Sequence, residues 1–180
     1  MTVLKNKLKP YIKNTIYGIL FTVVLGTFLH FLYELSSENP LIGAFSAVNE
    51  SVWEHLKLLF IPFFIYTIAS YFFLPERRDN FIFASAVGVI FGMLFIVILF
   101  YAYTAIVGHS ILPVDIALFV LACILSFLIR NNLIRNNLFQ SVYTEYIGIA
   151  LFLLLLLLFV IFTFNPPDLA MFSIPEESSK

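Results

Sequence analysis

Val142-Tyr143-Thr144-Glu145-Tyr146-Ile147-Gly148-Ile149-Ala150-Leu151-Phe152-Leu153-Leu154-Leu155-Leu156-Leu157-Leu158-Phe159-Val160-Ile161-Phe162-Thr163-Phe164 carries a single charged group, Glu145, and ends at Asn165-Pro166-Pro167. At about 1.5 Å per residue such a run spans a hydrocarbon layer about 30 Å thick. Runs of the same kind recur upstream over residues 15–35, 52–74, 81–105 and 113–130. Pro75 and Gly108 end the second and third, and Pro113 opens the fourth, where proline suits a first helical turn. The reading is an all-α integral membrane bundle of five transmembrane helices, with residues 1–180 as a single transmembrane domain.

Composition agrees. The chain is 61% hydrophobic and 12% charged, against about 25% charged in a typical soluble domain, and its mean hydropathy is +0.99. The tails and loops are too short to form a soluble domain. The first span lacks a small-residue cleavage site, so we expect it to be retained as a helix. Cys123 is the single cysteine, which excludes an intrachain disulfide. Lys5, Lys7, Lys9, Lys13, Arg77, Arg78, Arg130 and Arg135 fall on one side of a five-span chain, and Lys57 and Lys180 on the other. That bias predicts a cytoplasmic amino terminus and an extracytoplasmic carboxyl terminus, in a cell membrane.

Ala84, Gly88 and Gly92 repeat every four residues, a spacing that admits a close helix neighbour, either within the chain or across a homodimer seam. Pro62 is expected to bend the second span or free a carbonyl. The span midsections are almost wholly apolar, unlike a channel, and no inverted repeat of the common transporter kind is evident. Membrane lipids are the expected partners of the lysine-rich tail. Nothing supports nucleic-acid binding.

Polar residues gather instead at one face. Val48-Asn49-Glu50-Ser51-Val52-Trp53-Glu54-His55-Leu56-Lys57 opens the second span. His30 and Glu34 close the first, while His109 and Asp115 lie around the start of the fourth. All three histidines thus fall on one side. His30 and Glu34 are four residues apart, as are Glu50 and Glu54 if the helix reaches Glu50. Imidazole and carboxylate groups at the membrane call for a functional hypothesis. His30, His55 and His109, with Glu34 or Asp115, would ligate a divalent metal such as zinc. Glu54 or Glu50 would then serve as catalytic base toward a metal-bound water, in a hydrolase acting on a lipid or other amphiphile. The bland alternatives use the same residues. Ser51-x-x-Glu54 is a capping box, Asp115 suits a helix amino terminus, Glu54 and Lys57 can pair, and Trp53 is an interfacial anchor. Asn49-Glu50-Ser51 also fits a glycosylation sequon, which matters only in a secretory pathway. A non-enzymatic scaffold, or a small-ligand-binding or transport protein, is the alternative function.

His30-Phe31-x-Tyr33-Glu34 followed by the segment 48–57 resembles an uncharacterised family of small bacterial integral membrane proteins. The resemblance covers nearly the whole chain. It implies membrane location and a bacterial source, and carries no activity. Where that pattern leads us to expect Pro-Pro followed by histidine, this chain has Pro166-Pro167-Asp168.

Overall fold

The computed structural model describes residues 2–74 and 79–174, with side chains from residue 12 onward. Pro75, Arg77, Arg78 and Lys180, and the side chains of Lys5, Lys7 and Lys9, lie outside the described residues. Five long apolar helices are present: α1 (Thr2–Leu35), α3 (Val52–Phe73), α4 (Phe81–Val107), α5 (Leu112–Arg135) and α6 (Val142–Phe164). A single helical turn, α2 (Pro40–Gly43), sits in the first connection, and a 3-10 turn (Ala170–Phe172) follows α6. The chain is therefore a multi-pass, all-α membrane protein.

Local chemistry sets the helix ends. Ser51 caps α3 by accepting the Glu54 N–H, and Ser141 caps α6 by accepting that of Tyr143. Gly108 ends α4 at φ 89°, a left-handed conformation that an L side chain resists. α5 starts with a proline in its first turn.

Small residues then set the packing. A Cβ on Gly88 would land on the Ser126 carbonyl oxygen, and one on Gly92 on the Ser126 hydroxyl and the Ala122 carbonyl. With Ala84 fully buried, the small-residue face of α4 is used within the chain, against α5. Gly26 brings α1 onto the Leu58 carbonyl, the group that Pro62 leaves without its helical donor. The core between these seams is aromatic: Phe60, Phe63, Phe127 and Phe159 are fully buried. Phe63 meets Phe127 at 4.6 Å, and Phe60 meets Phe159 at 5.0 Å between ring centroids.

Two residues that bore on orientation are not loop charges. Lys57 and Arg130 are both fully buried. Arg130 donates to Asn14 Oδ1 at 2.8 Å and lies over the Phe127 ring. Asn14 in turn donates to Ser70 Oγ, and its carbonyl accepts from the Tyr66 hydroxyl. This network ties α1, α3 and α5 together where α1 enters the bundle.

Candidate metal centre

The other end of the bundle, where α1 and α6 finish and α3 starts, carries the acidic and imidazole groups. His30 comes from the last two turns of α1, and His55 from the first turn of α3. Their Nε2 atoms stand 3.3 Å apart. Glu50 lies outside the helix, because α3 begins at Val52 with Ser51 as its cap. Its Oε2 reaches 3.4 Å from His55 Nε2 and 3.7 Å from His30 Nε2. Among the described residues, His30, Glu50 and His55 form the group whose ligand atoms converge closely enough to hold a metal ion.

The separations fit that chemistry. A tetrahedral ion with ligands at about 2.0–2.2 Å holds them about 3.3–3.6 Å from one another. Two edges fall in that range, and the His30–Glu50 edge lies just beyond it. His55 Nδ1 sits 2.9 Å from the Ser51 carbonyl oxygen. A carbonyl only accepts, so Nδ1 carries the proton and a neutral ring turns its Nε2 lone pair to the site. When His55 is instead protonated, its Nε2–H donates to Glu50, and that hydrogen bond, against the opposing effect of partial burial and together with the charges of His55 and His30, holds the Glu50 carboxyl below its ordinary pKa.

The remaining candidates are placed differently. Glu34 is exposed on the turn after His30 and stands outside the group. Asp115 accepts from the Tyr103 hydroxyl at 2.5 Å and lies within electrostatic reach of His55. His109 lines a shallow cavity of about 330 Å³ with Tyr101, Thr104 and Ser110. Glu54 is buried and ion-paired with Lys57 at 2.5 Å. It also accepts from the Val48 N–H at 3.0 Å and from the Thr163 hydroxyl at 3.1 Å. The Glu54–Lys57 pair was expected from the spacing, whereas its third member, Thr163, was not. Thr163 had one signal, a hydroxyl in the last turn of an otherwise leucine- and phenylalanine-rich helix.

Fold and site together define a multi-pass helical membrane protein with a His/Glu/His group able to bind a divalent metal. The chain belongs to DUF6512, a family of unknown function, whose model matches residues 3–177. No curated protein matches the chain, and no solved structure does.

Proposed function

We propose that residues 1–180 form one transmembrane domain that binds a divalent metal through His30, Glu50 and His55 and hydrolyses an amphiphile at the membrane surface. The carrying observation is the trio of separations, 3.3, 3.4 and 3.7 Å, between one carboxylate oxygen and two imidazole nitrogens. Three protein ligands leave a coordination position for water or substrate, the pattern of catalytic rather than structural zinc. Side-chain exposures of 30% for His30, 34% for His55 and 63% for Glu50 leave that position accessible. Nitrogen and oxygen donors suit zinc, and a metal in this position would lower the pKa of a bound water and polarise an ester or phosphoryl oxygen.

Depth supports the substrate class. The apolar run of α1 covers residues 15–35, about 32 Å of helix against a core about 30 Å thick. His30 lies about 7.5 Å from its end, near the level where lipid ester and phosphate groups meet hydrocarbon. Asp115, held by Tyr103, is the carboxylate we assign to receive a proton from the attacking water. Glu54 is already engaged by Lys57, Val48 and Thr163. The lysine and arginine excess at the opposite end supports a cytoplasmic amino terminus and an extracytoplasmic site, in the cytoplasmic membrane of a bacterium.

The test is zinc-loaded protein in mixed micelles with phospholipid, with released acyl chains and headgroups read by mass spectrometry. Release that stops on chelation and in His55→Ala supports the reading. A folded, zinc-bound protein that turns over neither esters nor phosphoesters contradicts it. That result would favour the scaffold reading, which the buried Glu54–Lys57–Thr163 network supports on its own.

A further inference from the structure

Resting on the metal reading above, we infer that the buried Glu54–Lys57 pair is the positioning device that delivers Glu50 to the two histidines. His30 and His55 are fixed by their helices. Glu50 is carried by the connection between α2 and α3, and a ligand on a loop needs its own support.

That support is visible at both ends of a short turn. Gly43 and Val48 pack together closely enough that a Cβ on Gly43 would meet Val48 Cγ1 at 2.8 Å. Lys57 Nζ donates to the Gly43 carbonyl at 2.9 Å, and Glu54 Oε2 accepts the Val48 N–H at 3.0 Å. One residue on each side of the ion pair thus holds one end of the turn. Lys57 Nζ also donates to Thr163 Oγ1 at 2.8 Å, anchoring the clasp to α6. The three protons of the ammonium are matched by Glu54, Gly43 and Thr163. Beyond Val48, the Asn49 side chain accepts the Ser51 N–H at 2.9 Å, setting the bend from which Glu50 projects.

Charge suits this task for a directional reason. Well-packed apolar side chains would stabilise a buried spot as well as an ion pair does. They have no directed valences with which to seize one carbonyl and one amide of a passing loop. The polar residues of segment 48–57 then divide into two ligands, Glu50 and His55, and the parts that aim them.

The experiment is zinc affinity by competition with a chelating dye, using the full chain in detergent. It compares the wild type, the double variant Glu54→Leu/Lys57→Met, Glu50→Ala, and the triple combination. Amide exchange over residues 43–51 is followed in parallel. The clasp predicts that a folded double variant binds zinc about 10–100-fold more weakly, and that adding Glu50→Ala costs it little more. Exchange over 43–51 should rise while α1 and the rest of α3 stay protected. Unchanged zinc affinity in the double variant, or losses that simply add in the triple, would overturn the proposal. A wild type that takes no zinc overturns the metal reading, and the exchange result then decides the clasp alone. If the double variant is not folded, Thr163→Val is the milder cut, with the same outcomes read in the same way.

Discussion

His30 and His55, 25 residues apart in sequence, bring their Nε2 atoms to 3.3 Å across the α1–α3 interface. Two neutral imidazoles at that distance share one proton or grip one ion. With His55 Nδ1 committed to the Ser51 carbonyl, the pair presents lone pairs inward whenever His30 carries its proton on Nδ1. Glu50 closes the third side.

Proton competition should govern metal uptake. A metal displaces protons from imidazole ligands, so affinity falls as pH drops from about 7.5 to about 5.5. Glu50 keeps its charge through that window, because its pKa lies below the ordinary 4.5. Its carboxylate therefore contributes no change of charge over that range. Equilibrium dialysis against zinc should show proton release on binding and no inflection from Glu50. In metal-free protein the sign follows the same shift. A carboxyl lowered in the folded state contributes stability above its ordinary pKa, and loses it as pH falls through the folded value. Glu50→Gln should flatten the melting temperature below pH 4.5.

Breaking the clasp one partner at a time should be costly. The Lys57 and Glu54 side chains are 0% and 3% exposed, so Lys57→Met alone strands a buried carboxylate. The expected destabilisation is about 3–5 kcal/mol. The double variant Glu54→Leu/Lys57→Met should lose clearly less than the sum of the single changes, as a coupled pair does. Thermal unfolding in detergent measures both.

The α4–α5 seam should rank its two glycines. A Cβ at Gly88 meets the Ser126 backbone carbonyl and nothing that can swing aside. At Gly92 the first obstacle is the Ser126 hydroxyl, which can rotate. Gly88→Ala should cost about 1–3 kcal/mol and Gly92→Ala less. Equal losses would mean that the Ser126 hydroxyl does not swing aside, and no loss at either position that the helices separate freely.

The five helices were legible because each apolar run is as long as a membrane is thick, and because proline, glycine and serine mark the ends. The close α4–α5 approach was legible in Ala84, Gly88 and Gly92. The site was legible in its inventory and not in its geometry. Helical spacing would pair Glu50 with Glu54 only if the helix reached Glu50, and the Ser51-x-x-Glu54 pattern already marked a cap one residue later. The Ser51 cap ends α3 at Val52 and lets Glu50 bend toward the histidines, while Glu54 turns inward. Nor did spacing show that Lys57 and Arg130 are buried. Beyond Glu54, one turn away on the same helix, the partners Gly43, Thr163 and Asn14 come from other helices or the connecting turn, and tertiary packing alone brings them into reach.

The central claim is tested by metal content per chain, read by elemental mass spectrometry on detergent-purified protein made without chelator or histidine tag. His30→Ala, His55→Ala and Glu50→Ala should be measured beside it. A metal held by His30, Glu50 and His55 gives close to one zinc or similar divalent ion per wild-type chain, and a loss of that ion in folded His30→Ala and His55→Ala. Wild type that stays metal-free after reconstitution with candidate ions would contradict it, as would full occupancy in both histidine variants.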